Sequence, residues 1–464
     1  MVDSGQMETM SYPCSPLLSF PIHEESSYSL WSPQLAHHEN SPVDPCEFFD
    51  TTAIDSSDTH GQNAFDVDVF THCPERLLCQ ESGNLATIQE ELMEENSLSD
   101  LLLTGAEAVE AGDSSLASVV FSKLDELLPV TFENAAASSF DRLAYHFSQG
   151  LQSRMSGASS PCYPPEPEQS GTMSVHQMIQ ELSPFVKFTH FTANQAILDA
   201  TTGDTDVHVI DFNLSEGIQW SSLMSDLARQ GGKSFHLTAI IMDADHNNNT
   251  HHTAARCLAE FAESLNLPFQ FSFLCIHNKE DLEDFSRNRE GSVVFSCDTT
   301  NLCYKSWSKL QMLLLGCVKN LQPKLVVIIE EELVRIGKEV SLSHASFVEF
   351  FFEALHHFTM VFESLVSCFS TSNNRVCLKL VERDMVGPKI QDFVGQYRSV
   401  TLEVAAPKDL ERFVPCGLSA RNIAQARMLV GLFNRSFGIT HEKGRLQLCW
   451  KSRPLISVSV WTPL

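Results

Sequence analysis

Several things are scarce in this sequence, and each scarcity excludes something. Among its 14 cysteines there is no Cys-x-x-Cys pair. Structural zinc needs paired ligands at short spacing, so no zinc site is expected. The nearest spacing is Cys297 with Cys303, and His251-His252 stands apart from any cysteine. Unpaired thiols in such number suit a reducing compartment, the cytosol or nucleus. No run of about 18 apolar residues occurs, so no spanning helix and no membrane role are expected. Met1–Met10 has neither positive charge nor an apolar core, and no secretory leader is expected from it. Basic residues are outnumbered 31 to 59, for a net charge of -28. Phosphate contacts need Lys and Arg in excess on some face, so bulk charge does not describe a nucleic-acid binder.

The acidity is uneven. Residues 1–96 hold 18 acidic side chains and one basic one, Arg76, a net of -17; the remaining 41 acids and 30 bases leave -11. Pro13, Pro16, Pro21, Pro33, Pro42, Pro45 and Pro74 punctuate this region, and no helical or strand period runs through it. Residues 1–95 are therefore expected to form a disordered acidic N-terminal region. Its aromatics alternate with acids, as in Phe48-Phe49-Asp50 and Phe65-Asp66-Val67-Asp68-Val69-Phe70. That composition suits a transcriptional activation segment or a solvated tail with incidental aromatics.

The ordered part, 96–464, turns on one stretch. Val207, His208, Val209, Ile210 and Asp211 form an apolar run bounded by turn residues, which predicts a buried parallel strand. Gly217 breaks the backbone, and Gln219-Trp220 opens a helix with Leu223, Met224 and Leu227 at helical spacing, closed by Gly231-Gly232. Ligands in such folds sit beyond the carboxyl ends of the strands, where Asp211 and Asp243 would stand. Yet the turn after Asp211 carries a single glycine in place of a Gly-x-Gly-x-x-Gly loop, so the backbone cannot close on a pyrophosphate or a methionine moiety. Against that ligand role, Asp211 reads as a helix N-cap or turn residue. His208 reads as a hydrogen-bonded core histidine, and Trp220 and Trp461 as core wedges.

Helical patterns precede that strand. Ser97 or Ser99 can cap a helix carrying Leu98, Leu101, Leu102 and Val109, ended by Gly112. Helices over Leu116–Leu128 and Ala135–Leu151 follow, then a proline-rich linker at Ser156–Gly171. Next come Val175–Leu182, a break at Pro184, and Phe188–Ala200. Residues 96–200 thus form a mainly helical cap. Over 201–464, βα alternation predicts strands at Phe235–Met242, Phe269–Ile276, Ser292–Cys297 and Leu325–Ile329, the last running into Glu330-Glu331-Glu332. Helices are expected at His252–Leu265, Trp307–Leu321, Ala345–Phe369 and Asn422–Phe437, with a closing hairpin of Gln447–Trp450 and Leu455–Trp461. The fold class is α/β: a Rossmann-like, methyltransferase-like, mostly parallel sheet with inserted cap helices.

Several of these stretches resemble one family in the right order. Val207-His208-Val209-Ile210-Asp211 with Gly217-Ile218-Gln219-Trp220 is similar to the "VHIID … GxQW" signature of plant GRAS-domain transcriptional regulators. Ser97–Leu128 resembles their first leucine-rich region. Phe350–Phe358 with Phe362–Leu365 resembles their "RFxEALxYYSxxFDSL" segment. Trp450–Leu455 with Ser459-Val460-Trp461 resembles their terminal "SAW" block. The wording from Phe212 to Trp220 looks closest to the nodulation-signalling type-two branch and its Scarecrow-like relatives. Three departures stand out: no Trp over Leu410–Gly417, Val460 where alanine is usual, and three acids at Glu330–Glu332 where one is typical. No DELLA-type segment stands near the N-terminus, so a gibberellin-receptor partner is not expected.

The resemblance implies a nuclear co-regulator without cofactor, metal or catalytic residues. It implies other GRAS proteins and DNA-binding transcription factors as partners, with promoter contact indirect. Leu98, Leu101, Leu102 and Val109 would be the partner-binding stripe, although such stripes also pack as core. A direct DNA-binding reading would use Arg375, Lys379, Arg383 and Lys389, whose alternative is a solvated face paired with Glu382 and Asp384. An S-adenosylmethionine-dependent methyltransferase is the remaining alternative from architecture.

Overall fold

The computed structural model describes residues 97–128, 138–157, 174–241, 248–276, 285, 293–300, 304–335, 346–370, 374–397, 413–442 and 444–464. The chain divides into two units, 1–83 and 84–464, and all described residues belong to the second. The acidic N-terminal region, Asp243, Ala135 and most of the expected linker lie outside the described residues.

The signature run forms β1 (Asp206–Asp211). It pairs in parallel with β2 (Ser234–Ile241) on one side and β4 (Val293–Asp298) on the other. β3 (Phe269–Cys275) and β5 (Leu325–Glu331) extend this parallel block outwards. The sheet order is β3-β2-β1-β4-β5-β9-β8-β7, with a short β6 (Phe413–Pro415) on β9. β7 (Phe437–Glu442), β8 (Arg445–Trp450) and β9 (Arg453–Pro463) are antiparallel, β9 lying against β5. The doubly wound order reverses between β1 and β4, the position where such sheets bind ligands.

One sequence expectation fails here for a local reason. The expected helix to Phe437 stops at Val430. Leu429, Val430, Phe433 and Phe437 keep a helical period, but Asn434 turns the chain by accepting the Ser436 N–H, and Phe437 pairs with Trp450 as a strand residue. The expected break before Pro184 is present, one helix ending at Leu182 and the next opening at Pro184 rather than at Phe188, because the proline's missing N–H falls in a first turn where no partner exists.

The helical cap packs around α1 (Leu98–Ala111), α2 (Ser114–Leu127) and α3 (Ser139–Ser156). Next come α4 (Val175–Leu182) and α5 (Pro184–Ala200), which leads into β1; α6 (Ile218–Gln230), α7 (Asn248–Ser264) and α8 (Tyr304–Leu321) follow β1, β2 and β4. The long α9 (Phe347–Cys368) is apolar nearly all round because Phe350, Phe351, Phe358, Phe362 and Leu365 are all buried. Phe147 of α3 meets Phe351 edge-on at 5.4 Å between ring centres. A helical stretch follows as α10 (Arg375–Val381), a π turn (Glu382–Val386) and α11 (Gly387–Gln396). A Cβ on Gly387 would lie 2.3 Å from the His146 ring, so only glycine lets α11 approach α3 this closely.

Candidate functional site

The carboxyl end of β1 is closed by its own side chains. Asp211 is buried; its Oδ1 accepts the Asn213 N–H at 3.0 Å and its Oδ2 accepts the Trp220 indole N–H at 2.8 Å. Burial pushes the carboxyl up to about 7; those two hydrogen bonds act against the rise, and nearby Asp298 adds to it. Asp211 is thus a turn residue and indole anchor. The N-cap alternative is corrected: Gly217 holds that position at φ 70°, and no side chain caps the helix Ile218–Gln230. Glycine is required there by the left-handed backbone, and an added Cβ would also meet Leu258 at 3.2 Å.

Phe212 and Leu214 fill the space that a phosphate loop would leave open; both are buried, and Phe212 packs on Phe295 at 5.2 Å. On the β4 side, Asp298 accepts the Thr300 N–H at 2.8 Å, while its carbonyl receives the Asn213 amide at 2.8 Å. The polar groups at the switch point therefore satisfy one another. Gln219 and Asn194 of α5 exchange hydrogen bonds: Gln219 Nε2 donates to Asn194 Oδ1 at 3.1 Å, and Asn194 donates back to the Gln219 carbonyl at 3.0 Å. The signature pair thus has two structural tasks, Gln219 tying its helix to α5 and Trp220 tying it to β1.

Val207, Val209 and Ile210 are core residues. His208 shares a hydrogen bond with the Thr238 hydroxyl at 2.9 Å and stacks on His236 at 3.9 Å. Burial lowers His236 below the ordinary histidine range. Trp450 is buried against Phe437 at 4.7 Å. Trp461 is half-buried against the sheet core and donates to Ser459 Oγ at 3.1 Å. Val460 is buried opposite Val327, where the larger side chain is accommodated.

The acidic triplet at the end of β5 is internal glue. Arg445 of β8 reaches Glu330 at 3.0 Å and Glu332 at 3.6 Å, and Arg335 meets Glu332 at 2.6 Å. Burial alone would raise Glu332, but bonds from Gln447, Arg335 and Ser457 and the Arg445 charge outweigh it and hold the carboxyl below its usual range. Glu331 pairs with Lys389 of α11.

That pairing corrects the expected basic cluster. Lys389 is 6% exposed and points inward, so it cannot face DNA in this fold. Arg383 is exposed but engaged with Asp384. Arg375 and Lys379 are exposed on α10, apart from Lys389. The leucine stripe divides in the same way. Leu101 and Leu102 are 1% and 0% exposed and belong to the cap core, a correction to their expected role as partner anchors. Leu98 and Val109 are only half-buried.

Sequence reasoning missed the groups that join cap to core. Glu110 at the end of α1 accepts the Phe347 N–H at 2.7 Å and so covers the start of α9. Arg142 reaches the buried Glu382 in the π turn at 2.9 Å. Neither pairing had a local signal, since partners more than 200 residues apart share no pattern.

A model of the GRAS domain family matches residues 98–462. Protein NODULATION SIGNALING PATHWAY 2 of Medicago truncatula is 33% identical over 396 residues, covering 78% of this chain and 75% of that protein. Scarecrow-like protein 26 of Arabidopsis thaliana is 30% identical over 390 residues, covering 78% and 77%. The crystal structure of SCL7 in Oryza sativa superposes with a TM-score of 0.60 at 26% identity, over 79% of this chain and 100% of that one. With the signature strand, its Gln-Trp helix and the closing hairpin all in place, this chain belongs to the GRAS domain family.

Proposed function

We propose that this protein is a transcriptional co-regulator of plant signalling or development, working in the nucleus through protein partners rather than by catalysis. The observation that supports this most is the closed end of β1. Asp211, Trp220, Phe212 and Leu214 occupy the place where a nucleotide-type fold would hold its cofactor. The scaffold is retained and its ligand crevice is spent on packing, leaving outer surfaces for docking. Other GRAS proteins and DNA-binding transcription factors are the partners that the family resemblance implies.

Promoter contact is assigned to a partner. Of the four basic residues considered for DNA, one is buried and one is paired. A gel shift with the purified full chain alone, at two salt concentrations, is expected to show no retained duplex. Adding a DNA-binding GRAS partner is expected to produce a retained complex. Retention by the chain alone, lost on replacing Arg375 and Lys379 by Ala, would overturn this reading. Partner capture is expected to weaken with Leu98→Ala and Val109→Ala, the half-buried members of the stripe, while the thermal melt stays close to wild type. Titration calorimetry with S-adenosylmethionine is expected to give no heat of binding.

A further inference from the structure

The helix α12 (Ala420–Val430) buries one face and leaves the other uncovered. Asn422 donates from Nδ2 to the Thr192 carbonyl of α5 at 2.9 Å, and Ala426, Leu429 and Val430 are buried beside it. The opposite face reads Arg421, Ala424, Met428, Leu432, Arg435, a spacing of three or four residues. Leu432 lies just past the helix, where its N–H bonds to the Leu429 carbonyl at 3.2 Å and so stays one turn beyond Met428. Met428 is 75% exposed and Leu432 69%. Two large apolar side chains on adjacent turns, this open to water, form a patch and not scattered exposure.

The charge around the patch is equally distinctive. The chain carries -28 overall, yet from Val414 to His441 it holds Arg421, Arg427 and Arg435 and no acidic residue. All three arginines are exposed. Arg421 feels Asp226 on the neighbouring helix. Among the described residues, Arg427 and Arg435 have no ion-pair partner. An apolar stripe bordered by exposed guanidinium groups is complementary to one chemistry: a helix with apolar residues on one side and carboxylates along its margins.

We propose that this surface docks an acidic amphipathic helix of a partner protein. Its apolar side chains at i, i+4 and i+7 cover Met428 and Leu432, and the flexible thioether of Met428 adapts to their shape. Its Glu or Asp side chains meet Arg427 and Arg435. Nucleic acid would satisfy the arginines but leave both apolar side chains in water, so a helix fits better than a phosphate backbone. The inference rests on the co-regulator reading, but on a different helix from Leu98 and Val109, so the two can fail separately.

The test uses the full chain and a fluorescent synthetic peptide of about 16 residues, long enough to be helical when bound. The peptide carries Leu along one side and Glu along the other; a second peptide has Lys in place of Glu. Binding is read by anisotropy. Met428→Ser with Leu432→Ser, and separately Arg427→Glu with Arg435→Glu, are each expected to weaken the acidic peptide by at least about tenfold. The arginine-to-glutamate variant is expected to gain affinity for the lysine peptide. The melts should not move, because the altered side chains are exposed. Equal binding of the acidic peptide by wild type and both variants overturns the proposal. So does a loss confined to the arginine variant, which would indicate unspecific charge attraction. Retention of duplex DNA by wild type, abolished in that variant, would assign the surface to nucleic acid instead. If capture of a GRAS partner survives while the peptide fails, this inference falls alone; if capture fails as well, the co-regulator reading falls with it.

Discussion

At the residue scale, Asp211 carries the greatest consequence. Its carboxyl is buried, and its folded value of about 7 stands above the ordinary 3.8. The folded state therefore holds a proton that the unfolded chain has already released between those two values. The sign follows: this group favours folding at the acid end of that window and loses that contribution as pH rises towards 7. The slope is about 1.4 kcal/mol per pH unit at its steepest. Denaturant melts of wild type and Asp211→Asn between pH 4 and pH 7 are expected to converge at low pH, with the variant flatter. Parallel curves would show that the carboxyl does not titrate there. Trp220→Phe keeps most of the packed ring but removes the indole donor, stranding a buried carboxylate oxygen. The expected loss is about 1–3 kcal/mol, read from the same melts. The identities of Asp211, Gly217 and Trp220 were visible in the sequence; that the indole spans to the carboxylate nine residues back was not, because neither periodicity nor spacing says where a side chain ends.

At the element scale, the joint between cap and core depends on close approach. Gly387→Ala places a methyl group inside the His146 ring envelope. Separating α11 from α3 to relieve it would disturb the neighbouring contact of Gly150 with Val394 as well. A destabilisation of about 1–3 kcal/mol in chemical denaturation is expected, typical of overpacking. Wild-type stability in this variant would mean that the two helices are not held as tightly as the geometry implies. Glu110 at the start of α9 offers a second check. Glu110→Gln keeps an acceptor for the Phe347 N–H but removes the negative charge at the helix N-terminus, with an expected cost of about 0.3–1 kcal/mol. Most elements were legible because each buries a face with its own period. The exception was β7, whose first residue, Phe437, continued the helical period of Leu429, Val430 and Phe433; the helix opened by Pro184 only began ahead of its expected start at Phe188.

At the scale of the whole molecule, a net charge of -28 coexists with internal ion pairs that hold layers together. Lys389 and Glu331 bind α11 to the end of β5, and Arg445 joins β8 to the same acidic triplet. Lys389→Ala should therefore unfold the chain at lower denaturant, by about 1–3 kcal/mol, because it removes the partner of the largely buried Glu331 carboxylate. It should not act by weakening a DNA contact. Arg375→Ala, at an exposed position, should leave the melt within about 0.5 kcal/mol of wild type. Equal effects of the two substitutions would refute the inward assignment of Lys389. The sequence by itself determined the α/β class, the signature strand with its glycine-broken turn and the closing hairpin. Those features follow from local period, turn chemistry and motif order, which are properties of neighbouring residues. Only the tertiary structure decided that Leu101, Leu102 and Lys389 face inward, that Asp211 is spent on Trp220, and that Met428 and Leu432 stay outside. A stripe of leucines or a row of lysines has the same pattern whether it meets a partner or the core, and burial is settled by what the rest of the chain brings against it.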